Sequence, residues 1–142
     1  MAIERTLSMI KPDGVERNLV GVILSHYEAG GLRIKALRRQ QLSLAQGRAF
    51  YAVHKKRPFY EELVNYIVRS PVVVSVLEGD NAVTKHRHMM GATNPEEAAA
   101  DTIRKKYAQS LQENTVHGSD SLENAAWEVS FFFALSEYDY FN

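Results

Sequence analysis

The chain has no cysteine among its 142 residues. Disulfide frameworks and thiol nucleophiles are therefore excluded, which suits a reducing compartment. An excess of one charge is also missing. Seventeen Lys and Arg balance 17 Asp and Glu, so bulk attraction to nucleic acid or to an anionic membrane is not implied. No apolar run approaches the roughly 20 residues that span a bilayer. The start, Met1-Ala2-Ile3-Glu4-Arg5, lacks the basic-then-apolar layout of a signal peptide. Phosphate loops of the G-x-x-x-x-G-K-[ST] and G-x-G-x-x-G kinds do not occur, nor does an H-R-D plus D-F-G set. The expectation is a soluble cytoplasmic protein whose phosphate chemistry, if it has any, rests on scattered cations and a nucleophile.

What is present is ordinary for a globular protein: 45% hydrophobic and 24% charged residues. One domain over residues 1–142 is expected. Thr6 to Ile10 alternates small polar and apolar residues and reads as a strand, stopped by Lys11-Pro12-Asp13-Gly14. Leu19, Val22, Ile23 and Tyr27 follow helical spacing up to Gly30-Gly31. Leu32, Ile34 and Ala36, alternating with Arg33, Lys35 and Leu37, predict a half-buried strand. Ser43 caps a helix running to about His54, and Pro58 opens another with Tyr60, Leu63, Val64, Ile67 and Val68 on one face. Val72 to Leu77 is the best candidate for a central strand. Asn81 to Met90 looks helical, Asn94-Pro95-Glu96-Glu97 starts a further helix, and Leu122 to Phe133 is the last one. The order predicts an α+β or α/β sandwich with one sheet. Between Arg33 and Arg57 lie eight Lys or Arg and no acid, either a solvated face or one turned to an anionic substrate.

The chemistry concentrates in Asn114-Thr115-Val116-His117-Gly118-Ser119-Asp120-Ser121. Asp120 is the expected N-cap of the last helix, with Glu123 as its capping-box partner. His117 would then stand at a positive helix end, where a neutral imidazole can attack a phosphoryl group. The plainer alternative is a histidine packed at a strand end. His86 and His88 lack a third ligand at a defined spacing and read as a surface pair, not a metal site. Lys11, Arg87 and Arg104 are candidate phosphate cations. Tyr51 and Thr93 offer hydroxyls, Asn114 a sugar contact, and Phe59 a stacking platform for a base. Spacing alone does not bring these groups together.

Longer blocks carry a resemblance. They are Glu4 to Ser8 with Ile10-Lys11-Pro12-Asp13, Phe50 to Lys55 with Arg57-Pro58-Phe59, Pro71 to Val74, Met90 to Pro95, Thr102-Ile103-Arg104, and Asn114 with His117 to Ser121. In that order they resemble bacterial nucleoside diphosphate kinases along nearly the whole chain. The resemblance implies a ferredoxin-like βαββαβ α+β sandwich with a four-stranded antiparallel sheet and helices packed on it. It implies ping-pong transfer of the γ-phosphate of a nucleoside triphosphate, mainly ATP, to nucleoside diphosphates through His117 phosphorylated on Nδ1, maintaining NTP and dNTP pools. Magnesium would be held through the nucleotide phosphates and not by protein side chains. Carried over, Lys11, Tyr51, Arg87, Thr93 and Arg104 surround the phosphates, and Lys11 and Asn114 approach the sugar 3′-hydroxyl. Phe59 stacks on the base with Leu63 and Leu111 nearby. Glu128 supports His117 and fixes its tautomer, and Ser119 joins the catalytic group. The implied assembly is a homo-oligomer built on dimers, a tetramer or hexamer, with neither membrane nor nucleic acid as its main partner.

Asp101, Ser70 and Trp127 depart from the family pattern, which has Gly, Gly and commonly a basic residue there; the tail from Tyr138 to Asn142 matches no pattern of it. Asp101 would either repel phosphate or point outward. Two rival readings fit the same residues. One is a silent binder of nucleotide or single strands using the 33–57 face; the other is a histidine-dependent phosphohydrolase.

Overall fold

The computed structural model describes residues 2–140; Met1, Phe141 and Asn142, the last two in the unmatched tail, lie outside the described residues. The elements run β1 (Ile3–Ile10), α1 (Pro12–Glu16), α2 (Val20–Ala29), β2 (Arg33–Gln40), α3 (Leu44–Phe50), α4 (Tyr60–Ile67), β3 (Val72–Asp80), α5 (Ala82–Met90), α6 (Ile103–Tyr107), β4 (Val116–Gly118) and α7 (Leu122–Phe132). The sheet order is β2-β3-β1-β4, and every neighbouring pair is antiparallel. Strands β1 to β4 with α2 and α5 give the βαββαβ order of the ferredoxin-like fold, and α3 and α4 are inserted between β2 and β3.

The two-residue period of a strand sorts the core into two layers. Leu7 and Met9 of β1 and Val72, Val74 and Val76 of β3 meet Phe50, Val64, Ile67, Val129 and Phe132 of α3, α4 and α7. Ile10, Val73 and Leu77 face the other way, against Ile23 and Tyr27 of α2, Met90 of α5 and Ile103 of α6. A strand covered on both faces has no polar side to show, which is why Val72 to Leu77 reads as a continuous apolar run.

Several local expectations change. Pro12 does not simply end β1; it opens α1 at a position where its missing N–H costs nothing. Ser43 does cap α3, in a capping box with Gln46, but the helix stops at Phe50 and Ala52–His54 form a separate 3₁₀ turn. Pro58 precedes a helix that begins only at Tyr60, with Phe59 at its N-cap. Asn94 caps a single 3₁₀ turn, Pro95–Glu97, whose first turn is not continued. The register of β2 shifts between Ile34 and Ala36. This bulge turns Lys35 inward, to 4% exposure, and leaves Leu37 50% exposed. The ammonium of Lys35 donates to the Tyr140 carbonyl at 2.6 Å, and Arg5 donates to Asp139 at 2.8 Å. The tail is thereby tied across the strands.

Candidate active site

The last helix is capped by Ser121, whose hydroxyl accepts from the Asn124 N–H; Asp120 instead accepts from the Asn124 side chain. His117 lies ahead of that cap. It sits on edge strand β4 opposite Met9, on the face that carries Phe50. Glu128 reaches it from the second turn of α7. Glu128 Oε1 lies 2.9 Å from His117 Nε2 and accepts from Ser119 Oγ at 2.8 Å. Ser119 Oγ in turn accepts from the Leu7 N–H at 3.3 Å. This contact suits the tautomer with its hydrogen on Nε2, in which Nδ1 keeps a free lone pair. Gly118 lets β4 lie against α5, since a Cβ there would sit 2.4 Å from His86 Nδ1.

A cationic group lies beside this pair. Lys11, buried at the end of β1, donates from Nζ to Asn114 Oδ1 at 2.9 Å. Its pKa is pushed down to about 8, first by burial and then by the Arg104 charge, with Asp13 opposing. Arg104 donates to the carbonyls of Gly91 and Val116, each at 2.9 Å, and its buried Nε has no partner among the described residues. Burial and then the Arg87 charge lower it to about 10. Asn114 Nδ2 is 3.5 Å from the Thr93 carbonyl. Between Asn114 and Val116 the chain makes a γ-turn: the Val116 N–H donates to the Asn114 carbonyl at 2.8 Å, and Thr115 has φ +75°. A β-branched residue in that region costs about 1–3 kcal/mol and persists only when its surroundings over-determine it.

Aromatic rings continue the wall. Phe50 meets His117 edge-on at 5.3 Å and Tyr51 at 5.2 Å, and His54 links Tyr51 at 6.1 Å to Phe59 at 5.8 Å. Burial, then the Glu128 charge, pushes the Tyr51 phenol up. Phe59 remains 40% exposed at the end of this row. Leu63 is half-buried against the same core, while Leu111 stands exposed in the loop before β4.

Direct contacts thus join His117, Glu128 and Ser119, and separately Lys11, Asn114 and Thr93, with Arg104 bound to the backbone of β4. Arg87, exposed in the last turn of α5, makes no such bond among the described residues, though its charge acts on Arg104, and Leu111 is likewise without one.

A family model described as nucleoside diphosphate kinase matches residues 4–138. The chain belongs to the nucleoside diphosphate kinase family. It is 61% identical to the nucleoside diphosphate kinase of Gluconacetobacter diazotrophicus over 137 residues, 96% of this chain and 98% of the relative. It is 58% identical to that of Myxococcus xanthus, again over 96% of this chain and 94% of the relative. Among solved structures, the Aquifex aeolicus nucleoside diphosphate kinase matches with a TM-score of 0.94 at 39% identity, covering 96% of this chain and 99% of that one. A halophilic nucleoside diphosphate kinase from Halobacterium salinarum, in complex with CDP, matches with a TM-score of 0.94 at 36% identity, covering 99% and 94%. The protein is therefore an enzyme, a phosphotransferase that moves phosphate from a nucleoside triphosphate to a nucleoside diphosphate.

The departures from the family pattern have the following surroundings. Asp101 is exposed, and Ser70 donates to Glu16 at the surface. Trp127 stacks on Phe50 at 6.2 Å. Three contributors were given no role by sequence reasoning, although each lies in a stretch it singled out: Phe50, which meets the His117 ring, Asp13, whose charge favours the Lys11 ammonium, and Thr115, the centre of the γ-turn.

The expected surface pair is also corrected: His88 is exposed, but His86 is fully buried with both ring nitrogens unpartnered among the described residues. Burial is the main reason its pKa falls from 6.5 to about 3, with His117, Arg104 and Arg87 adding to the effect. Below pH 6.5 the unfolded chain binds a proton that the folded kinase refuses until about pH 3. Stability is thus intact above 6.5 and falls with pH at about 1.4 kcal/mol per unit from this one group. In urea unfolding at pH 7 and pH 5, His86→Leu is expected to flatten that loss; an unchanged slope would assign it elsewhere.

Among the described residues no helix is long and apolar enough to cross a membrane.

Proposed function

We propose that the enzyme works by a ping-pong mechanism through phosphorylated His117, as a single cytoplasmic domain that maintains NTP and dNTP pools. The observation that carries this reading is the Nε2-to-Glu128 bond of 2.9 Å, which frees Nδ1 as the nucleophile. The Nδ1 lone pair attacks the γ-phosphorus of the donor, usually ATP. The bond from that phosphorus to the β-phosphate oxygen breaks, and the diphosphate leaves. The imidazole ring is now cationic, and Glu128 offsets its charge across Nε2. An oxygen of the acceptor diphosphate then attacks the same phosphorus, the N–P bond breaks, and neutral His117 returns. Transfer of this kind needs positioning and charge stabilisation more than acid–base help.

Lys11, Arg87 and Arg104, with the hydroxyls of Tyr51 and Thr93, serve the phosphates. Lys11 and Asn114 serve the sugar 3′-hydroxyl, and Ser119 steadies Glu128. Phe59 stacks on the base, flanked by Leu63 and Leu111, and a stack tolerates any base. The CDP complex of the Halobacterium relative supports nucleotide binding. The donor set suits a metal that arrives on the nucleotide. Among the described residues no group of three or more His, Asp or Glu converges to hold an ion, and Glu128 is engaged by His117 and Ser119. Magnesium on the phosphate oxygens supplies charge neutralisation when bound. β2 is an edge strand, paired among the described residues with β3 alone, and an edge able to pair with a second copy supports a dimer-based homo-oligomer, tetramer or hexamer.

Initial rates at varied ATP and GDP test the mechanism: parallel double-reciprocal lines are expected, and intersecting lines would overturn ping-pong transfer. Lys11 adds a pH dependence. A lysine is cationic below its pKa, so with that value at about 8 the charge is lost above pH 8. The kcat/KM profile, which reports the free enzyme, is expected to descend there. In Lys11→Arg the descending limb should move above pH 10, whatever the absolute rate. A limb fixed at pH 8 would exclude Lys11 as its source.

A further inference from the structure

Asp13 carries a carboxylate that the proposed mechanism does not use, and it is only 1% exposed. Two hydroxyls converge on it. Tyr66 donates to Oδ1, and Thr115 Oγ1 donates to Oδ2 at 2.8 Å. Thr115 is the φ +75° centre of the γ-turn, and its carbonyl accepts from the Lys11 N–H at 2.8 Å. Asn114, the preceding residue, accepts from the Lys11 ammonium at 2.9 Å. Left to itself, a threonine would leave this backbone region for an extended one and carry Asn114 with it. Gly14 closes the space behind, since a Cβ there would sit 3.0 Å from Thr115 Cγ2.

We propose that Asp13 is a positioning residue of the nucleotide site, whose buried carboxylate pins Thr115 in its left-handed turn and so presents Asn114 and Lys11 to the nucleotide. This rests on the reading of Lys11 and Asn114 given above. Asp13 touches no reacting atom. It works through Thr115, and its negative charge is also the influence that favours the ammonium form of Lys11.

A second-site rescue tests it. Asp13→Asn is expected to lower kcat/KM for GDP about tenfold or more, the scale of losing a charged hydrogen-bond partner. Thr115→Val, which keeps the shape and removes the donor, should give a loss of similar size, and it serves if Asp13→Asn fails to fold. Glycine adopts the turn without a brace. Asp13→Asn combined with Thr115→Gly is therefore expected to recover at least part of kcat/KM, although its melting temperature stays low. A carboxylate with only a structural role would give no recovery. Wild-type rates in Thr115→Val, or a double variant no better than Asp13→Asn, would overturn the brace. Labelling with γ-labelled ATP separates the two readings: a wild-type enzyme that takes up no label loses the His117 mechanism itself.

Discussion

Replacing His117 by alanine is expected to cut nucleotide-dependent phosphoryl transfer by at least about 10⁴-fold, because no other group in the site can store the phosphoryl between half-reactions. The fold should survive. His117 stands half-exposed on an edge strand, its loss opens the site to solvent, and Glu128 keeps its bond from Ser119. A melting temperature within about 5 °C of the parent, together with lost transfer, separates chemistry from unfolding. Transfer retained in His117→Ala would assign the reaction to direct displacement between two bound nucleotides.

Glu128→Gln is expected to be the next most damaging change, although it removes no atom from the bonded chain. The carboxylate accepts from both Nε2 and Ser119 Oγ. A carboxamide can turn its NH₂ toward Nε2, which moves the ring hydrogen to Nδ1 and blocks the nucleophile. It also removes the charge that offsets the phosphorylated ring. A wrong tautomer in the comparable carboxylate–histidine pair of serine proteases costs about 10⁴-fold, so a fall in kcat on the order of 10²- to 10⁴-fold is expected. KM should change little, since the interaction strengthens only as the ring becomes cationic. A mainly raised KM would place Glu128 in nucleotide binding instead.

The fold was legible where a pattern repeats over several residues. Val72 to Leu77 announced a strand buried on both faces, and Ser43 announced the start of α3. Where one residue decides, periodicity failed. Lys35 points inward because of a bulge, and nothing in the alternation of β2 marks it. Asp120 and Ser121 are both good caps, and the choice between them depends on where β4 releases the chain, a tertiary matter. His86 and His88 look alike in sequence, yet the face of α5 turned to Gly118 buries one and exposes the other.

The site divides in the same way. Lys11, Asn114 and His117 could be singled out as residue types able to do the chemistry, and the family resemblance supplied Glu128 and their grouping. Spacing could not, because Lys11 and Asn114 are separated by 103 residues and meet only through the pairing of β1 with β4. Thr115 shows the deeper limit. Its positive φ opposes its own preference, and the groups that bond it, the Asp13 carboxylate and the Lys11 N–H, lie far away in sequence. Local rules fail there because the rest of the site holds the turn in place.

The most direct measurement uses the protein with histidine labelled in ¹⁵N, given ATP and magnesium without an acceptor, and followed by phosphorus and nitrogen NMR. One phosphoryl group per chain is expected, coupled to Nδ1 of His117, stable in alkali, labile in acid and discharged by GDP. Phosphorus on Nε2 or on a hydroxyl, or no phosphoprotein while ATP is bound, would contradict it.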